Sequence, residues 1–512
     1  MRLKNSVRNL VIAWIGQAVF IICYFVTWGI FGHMLSTDNN TVQALFTPVL
    51  SILTISELGI GTAISYALYK PLAEDDETKT RSLMRFFKRT YYVIGIVIAA
   101  MGLCLTPFIQ YLIDGELSIP LSQLRIYFLC FVLNASISYF FSYKGALIVA
   151  DQKKFIVAII QYASQSAMCL VQIAILLLTQ NYLLFLICMI TFTLVQNVLT
   201  ARRADKMYPF LKNKQGIKPL DKDTLKSIKK NVAALVVHRI ATITATPLST
   251  IIISTGIPYA TYPTAVASYY YYNQVVMALY RIMDQAFEAI VASVGNLAIT
   301  ASKERQIEVF EVAFFVNALL YTVTAVPLLC LFNSFIGEFW IGEKYALPLL
   351  TSILITVLYY LKGMRSTVLS FLNAYGLFWQ TRYKAVAETV ALLVLSLLLV
   401  RSYQITGVVL AGIISTVFVS TLIEGFMLFK HGLKASNTRY FLHFALYSGI
   451  AALLGFMAFE ACQLITVAGI MGFLLKGLLS LAIALGGFAL IFHRKREFKE
   501  TLDILRRIIK RQ

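Results

Sequence analysis

Residues 263–299, PTAVASYYYYNQVVMALYRIMDQAFEAIVASVGNLAI, decide how this chain reads. The stretch is long enough for a helix to cross a hydrocarbon core of about 30 Å. Yet Gln274, Met277, Arg281, Asp284, Glu288 and Gly295 recur along it at spacings of 3, 4, 3, 4 and 7, which puts them on one helix face. An ionised side chain at the centre of a lipid-facing helix costs roughly 2.5–3.5 kcal/mol or more, so such a face lines a bundle interior or a wet cavity. Arg281 and Asp284 at i,i+3, and Asp284 and Glu288 at i,i+4, are within reach for pairing or proton sharing. Two readings stay open: Arg281 attracts an anionic group while one carboxylate titrates, or the three form an interior ion pair that fixes helix packing.

The whole chain is of this kind. Of its 512 residues 59% are hydrophobic and the mean hydropathy is +0.74, against roughly 45–50% apolar residues in soluble domains. Long apolar runs recur without the ten-residue alternation of outer-membrane barrels. The expected fold is therefore an all-α polytopic membrane protein of about fourteen spans. They fall near 10–35, 42–69, 90–113, 124–150, 155–179, 182–200, 232–255, 263–299, 309–334, 347–372, 382–400, 405–429, 440–461 and 467–492. The first run follows Arg2, Lys4 and Arg8, is too long for a signal-peptide core and has no small-residue cleavage site, so it reads as an uncleaved span.

Lys and Arg set the orientation, because inside loops are enriched in them. With the N-terminus inside, 36 of the 45 fall in inside segments and only Arg125, Lys344 and Arg401 outside. Both termini are thus expected in the cytoplasm, and the net charge of +20 reports topology without calling for nucleic acid.

Six spans (1–200) precede a basic linker at 201–231, which holds ten basic and three acidic residues with Pro209, Gly216 and Pro219 as breakers. Six more follow (232–432), then two extra helices (433–493) and a tail (494–512). An even number of spans in the first half makes both halves run the same way, a parallel repeat. The turn Ala146–Phe155 has a counterpart 224 residues on, at Ser370–Trp379, and the same offset sets Glu57 opposite Arg281. In the tail, Phe498, Leu502, Leu505 and Ile509 share a helix face, with Lys499, Arg506, Arg507 and Lys510 elsewhere around it. Such a helix lies on an anionic inner leaflet, or is a solvated tail that only enforces orientation. The seven cysteines have no metal or redox spacing and read as packing or lipid-facing residues.

Seven ionisable residues sit well inside the expected spans: Glu57, Arg239, Arg281, Asp284, Glu288, Lys362 and Arg365. Glu57 reads as a mobile partner for Arg281 or Arg239, as a coupling-cation ligand, or as a static partner of a nearby Arg. Lys144 and Arg365 lie close enough to span ends to snorkel to headgroups or to face an interior path. The run Tyr269–Tyr272 stacks on sugar rings or belongs to an interfacial aromatic belt, where Trp340 and Trp379 are also expected. His33, His431, His443 and His493 stand singly near span ends.

The second expected span and the turn after it, Ser56-Glu-Leu-Gly-Ile-Gly61-Thr-Ala-Ile-Ser-Tyr-Ala-Leu-Tyr69-Lys-Pro-Leu-Ala-Glu-Asp-Asp76, resemble the corresponding segment of Wzx-like polysaccharide flippases. These belong to the multidrug/oligosaccharidyl-lipid/polysaccharide (MOP) exporter superfamily. The likeness extends over the basic N-terminus, the two six-helix lobes, the basic linker and the two extra helices. The resemblance implies transport of an isoprenoid-diphosphate-linked oligosaccharide from the inner to the outer leaflet of a bacterial cytoplasmic membrane, without ATP, for O-antigen, capsule or exopolysaccharide synthesis. It implies partners among membrane lipids and other glycan-assembly membrane proteins, no resident cofactor, and coupling to H⁺ or Na⁺. Arg239, Arg281, Lys362, Arg365 and Lys144 are then candidates for a cationic cavity that holds the diphosphate and sugar. Glu57, Asp284 and Glu288 are candidates for ion coupling or gating.

No phosphate-binding glycine loop, G-x-S-x-G or H-E-x-x-H pattern is present. A membrane glycan polymerase or ligase is the enzyme alternative, but every outside loop is about a dozen residues or fewer, too short for a catalytic domain. The transporter alternatives are a multidrug or organic-cation exporter, whose cavity should be acidic or aromatic, and a peptidoglycan-precursor flippase.

Overall fold

The computed structural model describes residues 2–53, 60–212, 220, 247–377 and 380–510 and, within these, side chains other than those of 2–14, 60–66, 212, 284–300 and 504–510. Among the described residues, helix falls within every expected span. The first group is α1 (Arg2–Met34), α2 (Thr37–Leu53), α3 (Ile60–Ala73), α4 (Glu77–Leu105) ending in a tighter turn (Thr106–Leu112), α5 (Leu121–Ala150), α6 (Lys154–Thr179) and α7 (Tyr182–Met207). Then come α8 (Pro247–Gly256), α9 (Ala265–Thr300), α10 (Lys303–Ser334), α11 (Leu349–Met364), α12 (Ser366–Ala374), α13 (Arg382–Ser415), α14 (Leu422–Met427), α15 (Thr438–Gln463), α16 (Gly469–Phe492) and α17 (Arg496–Lys510). Among the described residues nine helical segments are long and apolar enough to cross a membrane, and one of them doubles back at Gln404. The chain is a multi-pass α-helical membrane protein.

Helix ends follow local chemistry more than apolarity. α4 begins well before its apolar stretch because the Asp76 carboxylate accepts the Lys79 N–H at 2.8 Å and Glu77 suits the positive end of the helix. Asn181 and Ser302 cap α7 and α10 in the same way.

The turns repeat at the expected offset. α5 ends at Ala150 and α12 at Ala374, and the second residue beyond each, Gln152 and Gly376, has a left-handed backbone (φ 59° and 67°). Three amide-to-carbonyl bonds close the first turn: Asp151 to Leu147, Gln152 to Val149, and Lys153 to Ile148. Their counterparts 224 residues later are Tyr375 to Phe371, Gly376 to Asn373, and Leu377 to Leu372. The same spacing relates Gln180 (φ 51°), which ends α6, to Gln404 (φ 50°), where α13 reverses. At the first turn Asp151 accepts from Lys153 Nζ at 2.6 Å and from the Tyr208 hydroxyl at 2.7 Å. Burial, followed by that bond and the Asp151 charge, pushes the Tyr208 hydroxyl above its ordinary pKa.

The described residues form two compact units, Met1–Ala267 and Ser268–Gln512. Lipid is as apolar as leucine, so side-chain fit and hydrogen bonds rather than burial hold such helices together. In the first unit Leu83, Phe87, Tyr91, Ile94 and Ile98 on α4 pack against Tyr139, Tyr143 and Leu147 on α5. Phe31 of α1 contacts Trp28, Tyr182 and Phe185 ring to ring at 4.8–5.7 Å. In the same unit the buried Asp38 carboxylate accepts the Ser118 N–H at 2.7 Å and the Tyr259 hydroxyl, while the Asp114 N–H donates to the Ser254 carbonyl and the Tyr259 N–H to the Asp114 carbonyl. In the second unit α10 is central, packed by α11, α15 and α16. α16 leaves Leu474, Leu478, Leu485 and Leu490 exposed.

Candidate functional site

The expected span 347–372 is broken at Arg365, between α11 and α12. A break frees backbone carbonyls, and a buried carbonyl without a donor is costly. Here the fully buried Asn317 of α10 donates to the carbonyls of Gly363 at 3.2 Å and Met364 at 3.0 Å. One turn on, the Tyr321 ring fills the space where a side chain at 363 would stand, because a Cβ there would lie 2.0 Å from it. Only glycine fits. The Tyr321 hydroxyl lies 3.3 Å from Ser366 Oγ, and Thr324 Oγ1 lies 2.9 Å from the Tyr359 hydroxyl. Asn317, Tyr321 and Thr324 thus present one face of α10 to the break.

Arg365 itself enters a buried charge network. Its guanidinium forks onto Glu424, Nε to Oε2 at 2.8 Å and Nη2 to Oε1 at 2.7 Å, and Nη1 reaches Glu388 at 3.3 Å. Lys384 Nζ sits 2.6 Å from Glu424 and 2.8 Å from Glu388. Glu424 is 1% exposed and Arg365 6%, whereas Lys384 and Glu388 are only partly buried. Two cations and two carboxylates cancel, which is what makes the burial tolerable. Local backbone favours the arrangement. Glu424 lies on α14 between two π-helical turns, Thr416–Thr421 and Leu428–Leu433, and Ser415 Oγ donates to the Glu388 carbonyl at 2.9 Å.

The sequence candidates fare differently. Lys362 is partly buried and, among the described residues, has no ion-pair partner within 4.0 Å. Arg281 is exposed on α9. Glu57 and Arg239, and the side chains of Asp284 and Glu288, lie outside the described residues, as does Trp379. Arg365 does not snorkel: its fork is spent on Glu424 deep in the protein. Lys144 pairs with Asp205 at 2.6 Å and stays partly exposed.

The Tyr269–Tyr272 run is corrected by the structure, which buries all four residues. The Tyr272 hydroxyl donates to Asn333 Oδ1 at 2.5 Å and accepts the Leu347 N–H at 3.1 Å, while Tyr271 packs on Trp340 and Tyr345. These rings are core, not a belt, and Trp340 is buried with them. The residues that sequence reasoning missed are Lys384, Glu388 and Glu424. A signal existed: Lys384 and Glu388 stand at i,i+4 inside a span, and Glu424 is an acid within another. Among the described residues no group of three or more His, Cys, Asp or Glu could hold a metal ion.

No protein-family model matches the sequence, and no curated protein does. Solved structures do share the fold. One is described as the inward-facing conformation of a multidrug resistance MATE family transporter of the MOP superfamily, with TM-score 0.66 and 12% identity over 84% of this chain and 99% of that one. Another is the lipid II flippase MurJ in an inward closed conformation, with TM-score 0.64 and 14% identity over 95% and 98%. A third is a MOP superfamily transporter from Pyrococcus furiosus, described as having a binding pocket of reversed polarity that suggests a different function, with TM-score 0.59 and 12% identity over 85% and 97%.

Proposed function

We propose that this chain is a MOP-type secondary transporter that flips an isoprenoid-diphosphate-linked polysaccharide repeat unit from the inner to the outer leaflet of a bacterial cytoplasmic membrane. The extent of the structural likeness supports the lipid-flippase part of this reading. The multidrug transporter matches 84% of the chain and the lipid II flippase 95%, a difference of about 56 of 512 residues. That is the size of the α15–α16 pair, residues 438–492. The pair packs on α10 and turns Leu453, Phe456, Leu478 and Leu490 outward, a surface suited to a substrate whose prenyl chain stays in lipid.

In this reading Arg239, Arg281 and Lys362 hold the diphosphate through charge-assisted hydrogen bonds. Lys144 and Arg365 are held by acids in the present conformation and reach substrate only by exchanging those partners. Glu57, Asp284 and Glu288 carry the coupling to H⁺ or Na⁺, and no covalent bond of the substrate changes. A second reading, a peptidoglycan-precursor flippase, is favoured by the likeness to the lipid II flippase.

Deleting the gene and identifying the accumulated lipid tests both. A lipid-linked repeat unit held inside, with loss of surface polymer and continued growth, supports the first reading; arrest of growth with accumulated peptidoglycan precursor supports the second. Drug hypersensitivity without any trapped lipid intermediate would reject both in favour of drug export. In proteoliposomes, normal flipping by the Arg239→Ala/Arg281→Ala protein would remove the cationic site.

A further inference from the structure

We infer that α17 is a two-part element, its proximal half anchored to the protein and its distal half bound to the anionic phospholipid surface at the inner ends of the spans. α16 ends at Phe492 and α17 begins at Arg496, so α17 starts beside the end of a span, at headgroup depth. The proximal half is fastened. Arg496 reaches Glu308 at 3.5 Å and Glu311 at 3.3 Å on α10, Phe498 packs edge-on against Phe315, and Glu497 and Thr501 are buried.

The charge pattern changes where those contacts end. All three acids of the tail, Glu497, Glu500 and Asp503, fall in the proximal half, and Glu500 is paired with Arg496 at 3.5 Å. From Ile504 the helical backbone continues to Lys510, and 504–512 hold Arg506, Arg507, Lys510 and Arg511 with no acid. Positions 504, 505, 508 and 509, all Ile or Leu, continue the face begun by 497, 498 and 501. Positions 506, 507 and 510 fall on the other side. An apolar stripe backed by a run of cations, held at headgroup depth, is the pattern that binds anionic lipid. A wholly solvated tail would leave four Ile/Leu residues in water.

Hydrogen exchange of the full-length protein in nanodiscs tests this, with phosphatidylcholine alone compared with a mixture containing phosphatidylglycerol. Amides of 504–510 are expected to exchange at least tenfold more slowly in the anionic discs. The difference should shrink in high salt and vanish in Arg506→Glu/Arg507→Glu/Lys510→Glu. Amides of 496–501 should be unchanged throughout, which shows that the variant keeps its anchor. Equal protection of 504–510 in both discs, or a difference that survives the triple substitution, overturns the inference.

Discussion

Glu424→Gln removes one carboxylate from a buried group of two cations and two acids. What remains for Arg365 and Lys384 is Glu388, at 3.3 and 2.8 Å, and that side chain is the more exposed of the two acids. Removing one partner of a buried pair costs about 3–5 kcal/mol, and the glutamine carbonyl, still able to accept one bond, places this variant near the lower end at about 3 kcal/mol. Glu388→Gln leaves the Arg365 fork and the 2.6 Å Lys384 contact to Glu424 in place. It should cost about 1–2 kcal/mol, close to the worth of one hydrogen bond to a charged group. The double substitution Arg365→Met/Glu424→Met leaves Lys384 and Glu388 as a balanced pair, so it should be milder than Glu424→Gln alone. Unfolding by sodium dodecyl sulfate from mixed micelles gives all three free energies. Equal losses for Glu424→Gln and Glu388→Gln, or a double variant worse than Glu424→Gln, would refute the view that balance, rather than any one contact, keeps the network buried.

Gly363→Ala should destabilise by about 1–3 kcal/mol through overpacking against Tyr321, and Tyr321→Leu in the same chain should recover most of that; the same unfolding assay reads both. Asp38→Ala strips the acceptor from the Ser118 N–H and the Tyr259 hydroxyl, a loss of about 1–3 kcal/mol, and hydrogen exchange at the amides of Asp114 and Tyr259 should quicken. Tyr208 is raised by burial and by Asp151, so its contribution is complete below the unfolded value of about 10 and is lost as pH climbs toward the folded one. Stability should therefore fall above about pH 10, and Tyr208→Phe should flatten that alkaline decline in a pH series of unfolding measurements.

The helical, multi-pass class and the placement of the described spans were legible because apolar length is a first-order requirement of a bilayer. Where helices start and break was not. α4 runs far beyond its apolar stretch because Asp76 and Glu77 favour a helix start there, a rule independent of hydropathy. The break at Arg365 has no proline or glycine pair at the residue itself; it depends on Asn317 and Tyr321, nearly fifty residues earlier on another helix. The tyrosine run reads the same in sequence whether it faces headgroups, sugars or Asn333, and only the fold distinguishes these. Arg365 was visible as a buried charge, but its acids lie 23 and 59 residues away. A pairing of that kind belongs to tertiary structure.

The repeat bears on whether that pairing is a need of the scaffold. Counted from the matched turns, the positions 224 residues before Arg365, Lys384, Glu388 and Glu424 are Phe141, Ile160, Ser164 and Thr200, all uncharged. Ser164 and Thr200 are both buried, whereas of their charged counterparts Glu424 is buried and Glu388 only partly so. The first unit thus builds the same turns, with the same backbone bonds around Ala150 and the same left-handed residue before α7, with uncharged residues at all four matched positions. A scaffold that closes with neutral residues at these places does not call for four ionised ones, and burying them carries a desolvation cost that apolar residues would not. Under the proposed transport reading the cost has a use. Arg365 and Lys384 are cations kept ready beside Lys362, and the partly exposed Glu388 is the acid best placed to release one of them when an anion arrives.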